Sequence, residues 1–420
     1  MTAASDSHTV LWVPRYWPAV GGTEFHSHEL AIHLAREQRV TVLAHCTKTE
    51  NTQQPLTVSA AQTYHSDEMM DNVRTVELTP NKAYVNILTW LGKHHSKNKI
   101  ARFFYQLAFS QAYEHTAKPY LHDADRIHFI YNGLTEAANL AAQQAEALNI
   151  PFIFTPNILD TSPTGSDWDS ASFHSLYERA DKLVALTDHE ARWLVEHGVS
   201  EDKISVIPYG PILKPRDPSH EYGDIADLLS NRFILFLGRL VPSKGFNLLL
   251  NAFEKMSSED PNTHLIMIGP TVDKNSAPMH QVYEQLNSPR VHLLQDISQP
   301  LKTAFLEEAA VLCVPSSSES LGGVYIEAMA CNTPVIALDR AVSRCVIEHD
   351  SEGILVTNDE HSLVDGLRII LDNPQLADEM GQAGKKKVEE LFAWPVVTKK
   401  MLGVYGLFDD SLSSEIKKVA

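Results

Sequence analysis

Short apolar runs alternate with longer amphipathic stretches through most of this 420-residue chain. HTVLWVPRYW, from His8, holds the first run, and RVTVLAH, from Arg39, holds the second. Between them Phe25, Leu30, Ile32 and Leu34 recur at a spacing that fits one face of a helix. The rhythm repeats in RIHFIYNG, PFIFTP, DKLVALT and KISVIPYG, with helix-like LTEAANLAAQQAEALN and DHEARWLVEHG set among them. The repeated alternation of strand and helix predicts a parallel sheet covered by helices on both faces.

PYGPILKPRDPSHEYGD then interrupts the pattern with Pro208, Pro211, Pro215 and Pro218, and reads as a linker. A second series follows. FILFLGRLVPSKGFNLLLNAFEKM predicts strand, loop and helix; HLIMIG and RVHLLQ predict strands; QPLKTAFLEEA predicts a helix. VLCVP, PVIAL and GILV predict three more strands, with a helix in AVSRCVIEH. Residues 361–408 read as helical, and WPVVTKKMLGVYGLF opens on a proline, as a helix start can. Two sheets of similar size predict two domains, 1–210 and 211–394, with the C-terminal helix of about 395–420 packing back on the first.

A net charge of −18 argues against nucleic acid as the main partner. The four cysteines, Cys46, Cys313, Cys331 and Cys345, lack CxxC spacing and are expected to be reduced. No apolar run reaches membrane-spanning length, and MTAASDSHTV lacks the regions of a signal peptide. The expected location is the cytoplasm, with any membrane contact peripheral. Asn81–Tyr113 departs from the acidic background. It carries Lys82, Lys93, Lys97, Lys99 and Arg102 with His94, His95, Trp90, Phe103, Phe104, Tyr105 and Phe109, and no acidic residue lies between Glu77 and Glu114. Such a stretch is either a helix pair with solvated basic faces or a contact for an anionic surface or lipid-linked acceptor.

The densest chemistry lies in PSSSESLGGVYIEAMACNTP, from Pro315. Glu319 and Glu327 stand with seven residues between them, and Gly322 and Gly323 precede a helix-favouring YIEAMA. A helix starting at that glycine pair offers unpaired N–H groups and a positive dipole end to an anion. The glutamates suit the neutral hydroxyls of a sugar and a ribose. A capped amphipathic helix with two surface glutamates is the competing reading. Arg239 follows a strand at a glycine, and Lys244 lies five residues on. Two cations at the carboxyl edge of a parallel sheet suit a diphosphate and the charge that grows on it. In the first half, Gly21-Gly22-Thr23-Glu24 ends a strand–loop–helix unit without a GxGxxG fingerprint. Asp123-Ala-Asp125 and Asp167-Trp-Asp169 match a DxD pattern on paper, but one abuts a strand and no metal site is expected.

Taken together, these pieces resemble the family 4 glycosyltransferases of GT-B fold, of the bacterial surface-polysaccharide type. GGTE resembles the family's N-terminal glycine loop, FLGRLVPSKGFNLLLNAF its arginine–lysine motif, ESLGGVYIEAMACNTPVIA its paired-glutamate motif and EGILV the strand that follows. The resemblance implies two Rossmann-like doubly wound domains facing across a cleft. It implies a retaining transfer of a hexose from a UDP or GDP sugar to a glycan or lipid-linked acceptor, without a metal or other cofactor. It further implies catalytic roles for Arg239, Lys244 and Glu319, with Glu327 on the ribose and Glu319 on the donor sugar. Donor contacts would come from Gly21, Gly22, Thr23, Leu321, Gly322 and Gly323, and sugar or acceptor contacts from His128 and Asn157. The chain departs from the pattern where Ile130 replaces a second histidine and Asn157 the histidine of TPH; Leu321 replaces an aromatic residue and Asn332 a glycine. Two other readings stay open: a nucleotide-sugar epimerase of the same architecture, and a non-catalytic partner subunit that kept the fold.

Overall fold

The computed structural model describes residues 5–19, 21–47, 67–70, 72–94, 99–160, 166–216, 225–256, 260–270 and 288–407. His95, Lys97, Pro218 and most of the hydroxyl-rich loop after Asp160 lie outside them. The chain forms two compact units. The first holds the chain up to Ile158, the stretch ending at Ile207 and the segment from Val397; the second holds Asp160 with its neighbours and Pro208–Val396.

The first unit is built on an eight-stranded sheet in the order β3-β4-β2-β1-β5-β6-β7-β8. Its strands are β1 (Ser5–Arg15), β2 (Gln38–Cys46), β3 (Asp67–Met70), β4 (Val73–Glu77), β5 (Arg126–Ile130), β6 (Phe152–Thr155), β7 (Lys182–Ala185) and β8 (Ile204–Val206). All pairings are parallel except β3 with β4. β5 and β6 are buried along their whole length, with Arg126, His128 and Thr155 buried among their apolar residues. The helix Gly22–Leu34 follows β1, but its buried face is not simply apolar. Leu30 and Leu34 are buried, Phe25 and Ile32 are half-buried, and Glu24, His26, Ser27 and His28 are buried with them.

The second unit carries a six-stranded, wholly parallel sheet in the order β11-β10-β9-β12-β13-β14. These strands are β9 (Arg232–Leu237), β10 (Thr263–Gly269), β11 (Val291–Gln295), β12 (Val311–Val314), β13 (Val335–Leu338) and β14 (Gly353–Val356). Each predicted run in this half is a strand. The text from His361 divides into helices Glu360–Leu371, Pro374–Lys387 and Trp394–Val404, joined by a wider π-type turn at Val388–Phe392. Gly353 lies so close to β13 that a Cβ there would meet the Val335 carbonyl oxygen at 2.1 Å.

Strand order decides where each unit can hold a ligand. The chain leaves β9 towards β10 on one side, and returns to β12 on the other. Adjacent strands whose connections diverge open a crevice at their carboxyl ends. In the second unit that crevice lies at the ends of β9 and β12, and in the first at the ends of β1 and β5.

Candidate functional site

The carboxyl ends of β9 and β12 carry the predicted cations and carboxylates of the second unit. After β9 the chain runs through Gly238 and Arg239 to a short turn at Pro242–Lys244, closed by Gly245 at φ 73°. After β12 it runs through the serine-rich loop to Gly322, at φ 81°, and the helix Gly323–Ala330. The two loops are joined through one carbonyl. Ser243 O accepts from Ser317 N at 2.8 Å and from the Ser316 and Ser317 hydroxyls at 3.2 Å. Gly245 makes this approach possible, since a Cβ there would sit 2.0 Å from the Pro315 carbonyl oxygen.

That junction brings Lys244 Nζ to 2.5 Å from Glu319 Oε1. Both side chains are mostly buried, at 20% and 13% exposure, so the pair is shielded from bulk water. Arg239 is exposed, and its guanidinium has no ion-pair or hydrogen-bond partner among the described residues. Glu327 lies inside the helix Gly323–Ala330 and is buried. Its Oε2 accepts from Lys302 Nζ at 3.0 Å, and the same ammonium donates to Ile212 O at 2.7 Å. No side chain caps the first turn of this helix. Leu321 is buried. Tyr325 holds the helix against β12: its phenol, pushed well up by burial and so kept neutral, donates to Val314 O at 2.8 Å. A Cβ at Gly322 would strike the Tyr325 ring at 2.5 Å.

Two participants have no local signature in the sequence. Lys302 sits in the first turns of the helix Gln299–Glu308, after β11, and reads locally as an ordinary polar position. Asp160 is 159 residues from Glu319, yet two hydrogen bonds join them. Asp160 N donates to Glu319 O at 2.9 Å, and Glu319 N donates to Asp160 Oδ1 at 3.1 Å. Arg340 Nε donates to the other Asp160 oxygen at 3.2 Å. Glu319 is therefore held through its backbone and its side chain at once.

In the first unit, Gly21, Gly22 and Thr23 lie at the carboxyl end of β1, where the helix Gly22–Leu34 starts without a side-chain cap. The Glu24 carboxylate folds back over Gly21 so closely that a Cβ would lie 2.2 Å from it; Gly22 faces open space. His128 lies on β5 at 0% exposure. Its Nδ1 meets Tyr405 Oη at 2.7 Å and its Nε2 meets Thr155 Oγ1 at 2.8 Å, so both ring nitrogens are engaged within the protein. Burial holds its pKa down to about 3. Asn157 is buried in the left-handed region, at φ 54°, which asparagine tolerates better than most residues, and donates to Tyr131 O at 2.7 Å. The DxD pairs are spent on structure. Asp123 pairs with Arg39 at 2.7 Å, Asp125 accepts from His8 N at 2.7 Å, and Asp169 lies 3.0 Å from His174 Nε2. Among the described residues, no group of three or more His, Cys, Asp or Glu side chains is arranged to hold a metal ion.

Two Rossmann-like units, one opening on a glycine loop and the other on a cation–carboxylate cluster, define the GT-B class of α/β proteins. Residues 20–211 match the model of Glycosyltransferase Family 4, and residues 226–387 that of Glycosyl transferases group 1. The chain belongs to the GT-B glycosyltransferases of family 4 type. It is 28% identical over 247 residues to a D-inositol 3-phosphate glycosyltransferase of Nocardioides, covering 54% of each chain. It is 26% identical over 183 residues to the capsular polysaccharide biosynthesis glycosyltransferase CapM of Staphylococcus aureus, covering 43% of this chain and 48% of that one. The matches thus span about half the length of the curated relatives. Among solved structures, Anabaena HepE in complex with UDP and glucose shares the fold with a TM-score of 0.70 at 16% identity, over 95% of this chain and all of that one.

Proposed function

We propose that this chain is a retaining glycosyltransferase that moves a hexose from a nucleoside diphosphate sugar, UDP or GDP, to a glycan or lipid-linked acceptor in surface polysaccharide assembly. It would work in the cytoplasm, peripheral to the inner face of the cell membrane. The observation that carries the reading is the grouping at the ends of β9 and β12: a guanidinium at Arg239 unpaired among the described residues, the Lys244–Glu319 pair, the Lys302–Glu327 pair and an uncapped helix start. HepE, which binds UDP and glucose, supports a UDP donor, and CapM supports a polysaccharide product.

In this reading the diphosphate lies against Arg239, Lys244 and the amides at Gly322 and Gly323. Glu327, anchored by Lys302, presents its second oxygen to the ribose hydroxyls, and Glu319 orients the sugar. The bond from the anomeric carbon to the diphosphate oxygen breaks as the acceptor hydroxyl attacks the same face. The departing oxygen takes the hydroxyl proton, so no separate protein base is needed. Arg239 and Lys244 hold the charge that grows on the leaving group. Gly21, Gly22 and Thr23 are assigned to the donor through their backbone, and the first unit, 1–210, to the acceptor. Asn157 and His128 then shape the sugar pocket through the groups they hold.

The test is incubation with UDP and GDP sugars, with free nucleotide and transferred sugar both measured. Removing one cation that acts on the leaving group should lower kcat by about 10²–10³-fold. Undiminished turnover in both Arg239→Ala and Lys244→Ala would refute the assignment. Conversion of donor alone into an isomer would point to an epimerase instead.

A further inference from the structure

The helices Lys82–Gly92 and Lys99–Ala117 pack on each other and on the first unit's core through Leu88, Leu91, Tyr105, Phe109 and Tyr113. Their opposite face is also apolar. Trp90 is 63% exposed, Ile100 69% and Phe103 61%, with Ile87, Phe104 and Leu107 exposed beside them. On the second helix, positions 100, 103, 104 and 107 follow the spacing of a single helical stripe. A helix apolar on its inner and outer faces is unusual for a water-facing surface, and a contiguous patch of this kind marks an interaction site.

Charge identifies the occupant. The chain carries −18 overall, yet between Glu77 and Glu114 it has no acidic residue. Exposed Lys82 and Lys93 stand at the two ends of the first of these helices, which carries Ile87 and Trp90. Aromatic rings flanked by cations suit the boundary between acyl chains and anionic headgroups, where tryptophan settles at headgroup depth. A second copy of the chain would set two positive rims against each other. No helix among the described residues is long and apolar enough to cross a membrane, so the contact is interfacial.

We infer that this face is a docking surface for an anionic lipid bilayer, with Trp90, Ile100 and Phe103 entering the interface and Lys82 and Lys93 meeting the headgroups. The inference rests on the peripheral placement proposed above and names the surface responsible. Bound this way, the first unit would receive acceptors confined to the bilayer.

The full chain should sediment with vesicles of phosphatidylcholine mixed with phosphatidylglycerol, much less with phosphatidylcholine alone, and release in high salt. Trp90→Ser combined with Phe103→Ser should lower the partition coefficient by about tenfold or more. Lys82→Glu combined with Lys93→Glu tests the charge independently and should abolish the preference for anionic vesicles. UDP binding, followed by calorimetry, should be unchanged in all variants. Absence of binding to the mixed vesicles overturns the proposal, as does equal binding to both kinds. A concentration-dependent dimer that Trp90→Ser with Phe103→Ser dissolves would reassign the face to a second copy and overturn it as well. Vesicle binding without UDP binding would defeat the donor reading alone, and the converse would defeat only the docking surface.

Discussion

Gly245→Ala tests how the second unit's site is assembled. At φ 73° a side chain is disfavoured before any contact is considered. The added Cβ would also sit 2.0 Å from the Pro315 carbonyl oxygen, about 1 Å inside any tolerable contact. Neither backbone can yield freely, because Gly245 N donates to Pro242 O at 3.0 Å and Ser317 N donates to Ser243 O at 2.8 Å. The left-handed conformation costs about 1–2 kcal/mol and the overpacking about 1–3 more, so a total loss of about 2–5 kcal/mol is expected. Relief of the clash would separate the β9 and β12 loops and pull Lys244 from Glu319. A displacement of about 1 Å at a positioning group can cost about 10²-fold in rate. Urea unfolding reports the first effect; UDP calorimetry and sugar-transfer kinetics report the second. Native stability in Gly245→Ala would refute the packing argument. Lost stability with unchanged transfer would refute the link between the loop junction and Lys244.

Other substitutions probe the remaining parts. Lys302→Met leaves the buried Glu327 carboxylate without its cation, and should lower stability by about 3 kcal/mol, with much of the loss recovered in the double variant with Glu327→Gln. A double-variant cycle by chemical unfolding checks this, and additive losses would rule out the pairing. Burial holds His45 and His128 down to about 3, against 6.5 when exposed. The unfolded chain therefore takes up protons below pH 6.5 that the folded chain refuses. The stability that depends on these neutral rings is complete above 6.5 and is lost as pH falls towards 3, at up to about 2.7 kcal/mol per pH unit for the pair. His128→Gln should flatten that slope by about half in urea titrations, and an unchanged slope would count against the burial argument.

The architecture was legible because strand and helix patterns are local. Unbroken apolar runs such as VLCVP and FILFL became central strands, and the helix text from Gly323 began where the glycine pair indicated. The expected apolar face at Phe25, Leu30, Ile32 and Leu34 was only partly legible. Glu24 and His28 are buried on that helix too, Glu24 facing Arg15 at 4.0 Å and His28 Nδ1 meeting Tyr16 Oη at 3.1 Å, partners that periodicity does not reveal.

What the sequence determined by itself was the list of parts: two parallel α/β units, cations after β9, carboxylates around the glycine pair, and a basic aromatic stretch in an acidic chain. The tertiary structure alone decided where the polar atoms are spent. It joined Lys244 to Glu319, recruited Lys302 to Glu327, and tied Asp160 to the Glu319 backbone across 159 residues. It also enclosed His128 between Thr155 and Tyr405. The physical reason is that a side chain's charge and shape are fixed by its identity, whereas its hydrogen bonds and solvation depend on groups that only folding brings within 3 Å or so.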